Sequence, residues 1–203
     1  MAIKPKETAD ETRERISVVA EGLFRRLGFA KTAVADIAAE LGMSAANVYR
    51  FFPSKTAIVE TICNRCLAEV EREAEVIARA SGPARQRIME MIVAVMRYHR
   101  DNFLVERRVH DMVLVAMEHN WGAIEAHKMQ LCNAIQRMLE QGITEGAFLP
   151  HDTGQVAQIV MGACVRFCHP VLIAQCIDED LEAEAMVATG FLLRAIEVER
   201  LPL

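Results

Sequence analysis

The sequence predicts an all-α protein with two helical parts, and three observations lead to this fold class. Residues that favour helices, chiefly Ala, Glu, Arg, Met and Leu, are frequent, whereas the 203 residues include 10 glycines and 6 prolines. No run of alternating β-branched residues marks a strand. With 52% apolar and 25% charged residues, the chain can bury a substantial core and is not expected to be disordered.

The first helix is predicted to run from Asp10 or Thr12 to Leu27. Its apolar residues recur at spacings of three and four, which places them on one face of a helix. They are Ile16, Val19, Ala20, Leu23, Phe24 and Leu27. Gly28 is expected to end this helix, because glycine readily adopts the left-handed conformation that closes a helix.

Two short helices are predicted next. Thr32 is the candidate N-cap of the first, and Gly42 ends it. The buried face of this helix is expected to be Val34, Ile37, Ala38 and Leu41. Ser44 should cap the second short helix, at about residues 45–51. Pro53 stops it, because a proline disfavours helical geometry in the residue before it.

Longer helices are predicted for the rest of the chain. Ser54 is expected to cap a fourth helix that runs to about Ala80, where Ser81-Gly82-Pro83 breaks the pattern. The later helices are expected near residues 84–102, 104–119, 121–145, 152–176 and 179–200.

Residues 33–52 have the pattern of a helix-turn-helix, in which two short helices pack at a steep angle around a turn that contains glycine. Ile37 and Ala38 fall on the inner face of its first helix, and Val48 and Phe52 on the inner face of its second. The outer face of the second helix then consists of Ser44, Ala45, Ala46, Asn47, Tyr49 and Arg50. Its first side chains are small, so its backbone can approach a groove of double-stranded DNA.

The chemistry of this outer face suits DNA. Asn47 can form paired hydrogen bonds with an adenine edge, and Arg50 can reach a guanine or a phosphate. The hydroxyl of Tyr49 can donate to a phosphate. Thr32 and Lys55 are expected to add phosphate contacts from outside this helix. Structural explanations remain open, since Arg50 could be a solvated charge and Tyr49 could mainly pack.

At these residues the sequence resembles the TetR family of one-component transcriptional regulators. The matching stretch is GFAKTAVADIAAELGMSAANVYRFFPSK, residues 28–55. The family's pattern is present as Gly28, Phe29, Thr32, Ile37, Ala38, Gly42, Met43, Ser44, Tyr49, Phe52, Ser54 and Lys55. The resemblance implies a three-helix DNA-binding domain over residues 10–70, with its helix-turn-helix motif at about 33–52. It implies a ligand-binding and dimerisation domain over residues 71–203.

The stretch also departs from the family in places that face DNA. Ala33 stands where many members have a second Thr or Ser, which removes one possible phosphate contact. Ala46 and Asn47 replace the common Gly and Thr, so the operator sequence cannot be carried over from the family. Phe51 fits equally well as a core residue or as a contact residue.

The resemblance further implies a homodimer that binds an operator, acts as a repressor and is released by a small molecule. The last two predicted helices are the candidates for the dimer interface. The candidate interface residues are Val156, Ile159, Val160, Ala163, Phe167, Val187 and Phe191. Two such helices from each subunit can form an intermolecular four-helix bundle. The alternative is that these residues form a core within one subunit.

The effector site is expected among the helices near 84–145, where methionines are concentrated. Methionine side chains line adaptable apolar surfaces, although they also fill ordinary cores. The candidate ligand-binding residues are Met96, His99, Phe103, His110, Met112, Met117, Trp121 and Met138. The predicted effector is therefore an apolar or amphipathic small molecule. His119 and His127 are further possible polar contacts, with surface or satisfied core positions as the alternative.

Charge and cysteine usage place limits on other functions. Residues 1–56 hold nine Lys and Arg against seven Asp and Glu, although the whole chain has a net charge of −5. A basic end on an acidic body can meet a polyanion with that end alone. The N-terminus is polar, so we expect a cytoplasmic protein with reduced cysteines. The longest apolar run, residues 156–176, contains Arg166, His169 and Pro170, so we expect a buried or interface helix there and no membrane span. Cys63 and Cys66 form half of a zinc motif, but no second pair of ligands lies nearby in the sequence, so no metal or cofactor is expected.

Two other classes of function are alternatives to a DNA-binding regulator. An all-helical enzyme would need a signature such as paired Glu-x-x-His motifs, HExxH or a glycine-rich phosphate loop, and the sequence has none. A helix-turn-helix protein that acts solely as a protein-binding adaptor would show no salt-dependent affinity for DNA.

Overall fold

A computed structural model describes residues 7–104, 107–119 and 121–198. The side chains of residues 103, 104, 107–111 and 121 lie outside this description. The described helices are α1 (Ala9–Leu27), α2 (Val34–Glu40), α3 (Ala45–Phe51), α4 (Lys55–Arg79), α5 (Ala84–His99), α6 (Arg107–His119), α7 (Trp121–Thr144), α8 (Thr153–Ala163), α9 (Val165–Cys168), α10 (Pro170–Gln175) and α11 (Leu181–Arg194). A π-helical turn, Arg100–Leu104, follows α5. The all-α fold predicted from the sequence is confirmed.

The chain divides into two compact units. Unit 1 takes in the chain up to residue 66 together with residues 106–121, and unit 2 takes in residues 67–105 and 122–203. The predicted domains placed their boundary after residue 70 and assigned all later helices to the second domain. The structure instead groups α6 with the helix-turn-helix, although it comes late in the sequence.

Helix α1 begins one residue before the predicted range because Thr8 caps it. The Thr8 hydroxyl accepts a hydrogen bond from the Glu11 N–H, and the Glu11 carboxylate accepts one from the Thr8 N–H at 2.7 Å. This reciprocal pair satisfies two backbone donors that a helix start otherwise leaves unpaired. The helix ends before Gly28 as predicted, and φ at Gly28 is 91°, a value that favours glycine.

The predicted N-cap of α2 is wrong by one residue. Ala33 occupies the cap position, and its N–H donates to the Asp36 carboxylate at 2.7 Å. The Thr32 hydroxyl turns away and donates to the Gly28 carbonyl at 2.9 Å. An alanine cap has no side-chain acceptor for the first N–H groups of the helix, and the local side-chain hydrogen bond is instead the one that Asp36 accepts from the Ala33 N–H.

The core of unit 1 is formed by α1, α2, α3, the start of α4, and α6. Helix α1 contacts α2, α3 and α6. Its predicted apolar stripe supplies the buried residues Ile16, Ala20, Leu23 and Phe24. Helix α6 buries Met112, Val113 and Ala116, and Ala116 lies three and four positions after the other two, which places all three on one helix face. Unit 1 therefore depends on a second stretch of chain that begins at residue 106, well after its first stretch ends at residue 66.

The core of unit 2 centres on α5, which packs most extensively against α11. At Gly190 of α11 an added Cβ would lie 2.9 Å from the Arg85 guanidinium and 3.2 Å from the end of Met89. Both atoms are the far ends of flexible side chains, so a larger residue at position 190 would require Arg85 and Met89 to shift. Buried apolar residues of α5, α7, α8 and α11 fill the space between these helices.

Arg87 closes the turn between α4 and α5. Its guanidinium is buried and donates to the carbonyls of Ala78 at 2.6 Å and Gly82 at 3.1 Å. A third hydrogen bond, of 2.7 Å, reaches the side-chain oxygen of Gln141 on α7. A guanidinium holds several donors in a fixed plane, so this one side chain satisfies carbonyls at the end of α4 and joins them to α7.

The single helix predicted over residues 152–176 is wrong, because three short helices occupy this range. The first ends at Ala163, and His169 has extended geometry between the other two, with φ −99° and ψ 117°. Pro170 accounts for the second break, since proline disfavours helical geometry in the residue before it. The apolar composition of the stretch concealed both breaks. In the described part of the chain, no helix combines the length and apolar character needed to span a bilayer.

Candidate nucleic-acid interface

The second helix of the helix-turn-helix, α3, is held by two apolar side chains. Val48 and Phe52 are buried in unit 1, and α3 contacts α2 and α1. Because 48 and 52 lie one turn apart on a helix, this packing fixes which face of α3 is inside. Tyr49 is 52% exposed, and Ser44, Ala46 and Arg50 are also exposed. The opposite face of α3 is therefore available to a partner.

The start of α3 brings small residues and Asn47 to the surface. The Ser44 hydroxyl accepts a hydrogen bond from the Asn47 N–H at 3.2 Å, so Ser44 is the N-cap, as predicted. Ala45 and Asn47 are half-buried, as is Phe51 at the other end of the helix. Ser44 thus satisfies the Asn47 backbone while the Asn47 amide side chain stays partly open to solvent.

Lys55 has an inward role that the sequence did not predict. Its ammonium donates to the carbonyls of Phe29 at 2.7 Å and Thr32 at 3.0 Å, and it lies 4.1 Å from the centre of the Phe29 ring. Burial lowers the pKa of this ammonium from its usual value. An ammonium has three donors, so at most one remains for a phosphate. Lys55 joins the start of α4 to the loop between α1 and α2.

The proposed contact between the Thr32 side chain and a phosphate does not fit the structure. Thr32 is 1% exposed, and its hydroxyl is engaged with the Gly28 carbonyl. A hydroxyl in this position cannot reach a phosphate without leaving the interior. Thr32 therefore belongs to the support of the loop between α1 and α2, together with Lys55, and we remove its side chain from the set of DNA contacts.

An ionic network fixes α4 against α1 within unit 1. The Arg65 guanidinium donates to Glu14 at 2.8 Å, to the Ser17 hydroxyl at 3.2 Å, and also to Glu21. Arg25 donates to the same Glu21 carboxylate from one turn away. Planar guanidinium groups suit such shared carboxylates. This network holds α4 against α1, and Lys55 holds the start of α4 against the loop between α1 and α2.

The candidate effector residues do not form one group within a single unit. Met96, His99 and Met138 are buried in unit 2, whereas Met112 and Met117 belong to unit 1. The side chains of Phe103, His110 and Trp121 lie outside the described residues. Met112 packs in the core of unit 1, so the sequence prediction merged residues that serve two different cores. This happened because methionine content alone does not distinguish one core from another.

Three histidines of unit 2 have lowered pKa values, and the sequence analysis identified two of them, the buried His99 and His127. His99 is 5% exposed, and burial, followed by the proximity of His127 and His169, lowers its pKa to about 3. Burial also lowers the pKa of His127 and of His169. His169 was not among the candidates. Its sequence signal was its position before Pro170, which predicts a break in a helix and nothing about ligands.

The candidate dimer residues separate into two groups. Val160 and Phe167 are buried in the core of their own unit, and Val156 packs partly buried against that core. Residues buried within one subunit cannot supply an interface, so Val160 and Phe167 are removed from it. Ala163 is exposed, and Ile159, Val187 and Phe191 are large apolar side chains that remain exposed, with Phe191 at 69%.

The exposed apolar residues lie on two neighbouring helices. Ile159 and Ala163 are one turn apart on α8, as are Val187 and Phe191 on α11. The Cys164 sulfur lies 3.4 Å from the Thr189 hydroxyl, which places the end of α8 beside the middle of α11. We call Ile159, Ala163, Val187 and Phe191 the apolar patch. Water-exposed apolar side chains grouped in this way are typical of a surface that another protein covers.

Two family descriptions match the chain. The one described as "Bacterial regulatory proteins, tetR family" matches residues 16–62, which include the whole helix-turn-helix. The one described as "Tetracyclin repressor-like, C-terminal domain" matches residues 84–187. Among curated proteins, the HTH-type transcriptional regulator TtgR of Pseudomonas putida is 27% identical over 155 residues, which cover 68% of this chain and 72% of TtgR.

Solved structures support the same fold. A transcriptional regulator of the TetR/AcrR family from Thermobifida fusca superposes with a TM-score of 0.69 at 22% identity, over 90% of this chain and 97% of its own. SmeT, the repressor of the Stenotrophomonas maltophilia multidrug efflux pump SmeDEF, has a TM-score of 0.66 at 18% identity, over 95% and 94% of the two chains.

The matches to both family descriptions agree with the geometry of unit 1, where a helix-turn-helix presents one face of α3 to solvent. They also agree with the all-helical unit 2 that follows. The function is accordingly regulation of transcription through DNA binding, and the family consists of regulators rather than enzymes. The chain belongs to the TetR family of transcriptional regulators.

Proposed function

We propose that this protein is a transcriptional repressor that binds a two-fold symmetric DNA operator as a homodimer and releases it when a small molecule binds unit 2. The observation that carries the DNA-binding part is the orientation of α3. Val48 and Phe52 hold one face inside, while Asn47, Tyr49 and Arg50 remain on the other side with a set of small residues. We propose that this face enters the major groove, as in other helix-turn-helix proteins.

The roles of the individual residues follow from their chemistry. Asn47 would read a base edge with its amide, and Arg50 would contact a guanine or a phosphate. The Tyr49 hydroxyl would bind a phosphate, with Ser44, Ala45 and Ala46 allowing the backbone to approach. Lys55 would act mainly by holding the loop before α2 in place, with its third donor left for the DNA backbone.

The homodimer is supported by the apolar patch on α8 and α11. These two helices from each of two copies would form a bundle of four helices, and two-fold symmetry would bring each patch against its equivalent. Two recognition helices must lie about 34–36 Å apart to enter successive major grooves, so a dimer is also what a palindromic operator requires.

Repression and release are inferred with support from relatives, and a cytoplasmic location is proposed because the protein acts on DNA. SmeT is named as the repressor of a multidrug efflux pump, and a related structure, RolR, contains resorcinol as its ligand. These names describe those proteins. For this chain they favour a repressor whose DNA affinity falls when an organic molecule binds.

The experiment is selection of binding sites from random double-stranded DNA with purified dimer, followed by titration of the selected site at several salt concentrations. We expect a palindromic site whose affinity falls steeply with salt, because each neutralised phosphate releases counterions. Protein that selects no sequence, or that binds without salt dependence, would contradict the proposal and favour a protein-binding adaptor. Repeating the titration with candidate ligands tests release.

A further inference from the structure

The short loop between α1 and α2 contains a turn whose two ends are held by Lys55. The Thr32 N–H donates to the Phe29 carbonyl at 3.3 Å, which closes a turn of four residues, 29–32. The carbonyls of Phe29 and Thr32 both accept from the Lys55 ammonium, at 2.7 and 3.0 Å. Lys31 is one of the two central residues of this turn, and it is exposed. We call residues 29–32 the clamped turn.

The backbone that carries Lys31 is therefore fixed on both sides. Before the turn, the Gly28 carbonyl accepts a 2.9 Å hydrogen bond from the Thr32 hydroxyl. After it, the Ala33 N–H donates to the Asp36 carboxylate at 2.7 Å. A cation on a fixed backbone loses less conformational entropy on binding than a cation on a loose loop. Lys31 is thus better prepared to bind a partner than an ordinary loop lysine.

Lys31 and Arg50 differ from the other cations of unit 1 in their surroundings. Among the described residues, neither has a carboxylate partner, and both are exposed. The arginines of α1 and α4 in this unit are paired instead: Arg13 with Asp10, Arg15 with Glu7, Arg25 with Glu21, Arg26 with Glu40, and Arg65 with Glu14 and Glu21. A cation that no neighbouring carboxylate balances attracts a polyanion more strongly. These two cations therefore mark the surface where unit 1 can meet DNA.

Other donors of the clamped turn and its flanks are already engaged within the protein. The Thr32 hydroxyl and the Ala33 N–H both have acceptors, as given above, and Lys55 donates to two carbonyls. A phosphate at this loop needs a donor that the fold does not use. The Lys31 ammonium, with three donors and no described acceptor, meets that need.

The clamped turn lies close to the end of α3. Helix α3 ends at Phe51, and Lys55, four residues later, binds the turn directly. Four residues span at most about 14 Å even when fully extended. The major groove is about 12 Å wide and is bordered by the two phosphate backbones. When α3 lies in the groove, a segment at this distance from its end can reach a phosphate backbone.

We propose that Lys31 binds a DNA phosphate beside the groove that receives α3, and that the clamped turn holds it in position. The ammonium donates to a phosphate oxygen, so the contact adds affinity and fixes orientation without reading a base. The proposal rests on the DNA-binding function proposed above. It adds a contact that lies outside the helix-turn-helix motif at 33–52.

The test compares Lys31→Gln with the wild type in DNA titrations at several salt concentrations, using the selected operator and a duplex of unrelated sequence. The slope of the logarithm of affinity against the logarithm of salt concentration should become smaller by about one unit for each lost phosphate contact. A dimer on two half-sites should therefore lose about two units. The loss should appear with both duplexes, and Lys31→Arg should keep the wild-type slope.

A control variant separates a direct contact from a change in net charge. Lys128→Gln removes the same charge from α7 in unit 2, where the lysine pairs with Glu125, and its slope should match that of the wild type. A wild-type slope in Lys31→Gln would overturn the proposal. Equal reductions in Lys31→Gln and Lys128→Gln would also overturn it, because net charge alone would explain them.

Ethylation interference on the operator identifies the phosphate itself, because an ethyl group removes the charge of the phosphate that carries it. At the phosphate bound by Lys31, ethylation should weaken binding of the wild type and leave binding of Lys31→Gln unchanged. If the same phosphates matter equally for both proteins, Lys31 makes no such contact.

Failure of this inference differs from failure of the proposed function. Operator binding that falls steeply with salt, with an unchanged slope in Lys31→Gln, would contradict the Lys31 contact alone. Binding that depends on Lys31 but prefers no sequence would support the contact and contradict the operator-specific repressor. Absence of binding to any duplex would overturn both.

Discussion

The Lys55 ammonium lies 4.1 Å from the centre of the Phe29 ring and donates a 2.7 Å hydrogen bond to the carbonyl of the same residue. Phe29 in turn packs edge-on against Phe24 of α1, with ring centres 5.4 Å apart. Helix α1, the loop before α2, and the first residue of α4 are thereby joined through three side chains. A residue that looked like a phosphate contact in the sequence is therefore part of the support of the helix-turn-helix.

Lys55→Met should weaken DNA binding by a similar factor for all sequences and should also lower the melting temperature. The two carbonyls of Phe29 and Thr32 lose their donor, and the ring loses a cation–π contact. The slope of the logarithm of DNA affinity against the logarithm of salt concentration should change by less than about one unit, which is the contribution of one phosphate contact. Arg50→Met is the control, and there the slope should fall while the melting temperature holds. A Lys55→Met protein with unchanged stability and a reduced slope would show that Lys55 acts on DNA directly.

Asn47→Ala should reduce specificity at one position of the operator. A paired contact between an amide and an adenine edge is worth about 1–3 kcal/mol, so the loss should fall on one base pair and its symmetry mate. The measurement is affinity for a panel of single-base operator variants by fluorescence anisotropy. Unchanged base preference in Asn47→Ala would exclude the amide contact.

Phe191→Asp should separate the dimer. Its side chain is 69% exposed in one subunit and lies on the apolar patch, where burial of a carboxylate against its symmetry mate is costly. Light scattering during gel filtration should report a monomer with normal circular dichroism. The control is Met129→Asp, a comparably exposed apolar residue on α7 outside the patch. A dimer that survives Phe191→Asp would place the interface elsewhere.

Acidification should destabilise the protein before its carboxylates titrate. The usual histidine pKa is 6.5, and in the folded protein that of His99 is lowered to about 3. The unfolded chain therefore binds more protons between these values, and stability falls as the pH drops, by up to about 1.4 kcal/mol per pH unit from this residue. The pKa values of His127 and His169 are also lowered, so these two residues likewise reduce stability as the pH drops. The Glu71 carboxylate faces His127, 2.9 Å from its Nδ1.

Urea unfolding at a series of pH values between about 7.5 and 5 measures this effect. His99→Gln should give a shallower loss over that interval because the glutamine does not titrate. The exposed carboxylates with lowered pKa, including Glu179 and Glu182, lose their contribution at lower pH, outside the interval. Equal slopes for the wild type and His99→Gln would mean that His99 does not control the response.

Arg87→Met should be among the most destabilising single changes in unit 2. It leaves the Ala78 and Gly82 carbonyls without the guanidinium that serves both of them, at a cost of about 2 kcal/mol or more in the free energy of unfolding. Arg97→Met removes an exposed ion pair with Glu182 and is the matched control, for which a far smaller loss is expected. Similar losses in the two variants would contradict the role given to Arg87.

Much of unit 1 could be predicted from the sequence because its signals are local. The end of α1 at Leu27, the cap at Ser44 and the break at Pro53 each depend on residues only a few positions apart. The effector region depends on contacts between distant segments, and composition says little about these. Methionine density grouped Met112 with Met96, although the two belong to different cores, and no local pattern could bring His169 to His99.

Two residues of the interface prediction, Val160 and Phe167, are wrong for a reason that helix periodicity does not reveal. Spacing identified α8 and α11 as apolar helices, but a helix that is apolar on several faces does not reveal which face turns inward. Val160 and Ile159 are adjacent in sequence and alike in chemistry, and one is in the core whereas the other is exposed. The direction of each side chain is set by packing against α5 and its neighbours, which the sequence of one helix does not contain.

The packing of α6 against α1 has a practical consequence for protein engineering. Met112, Val113 and Ala116 are buried in unit 1, where α6 packs against α1. A fragment that stops after residue 66 would expose apolar side chains of unit 1 to water, and we expect it to be poorly soluble. A chimera that joins this DNA-binding unit to the ligand-binding domain of another protein would have to include two separate stretches of chain. These are the residues up to 66 and residues 106–121, and the second stretch lies within the sequence of unit 2.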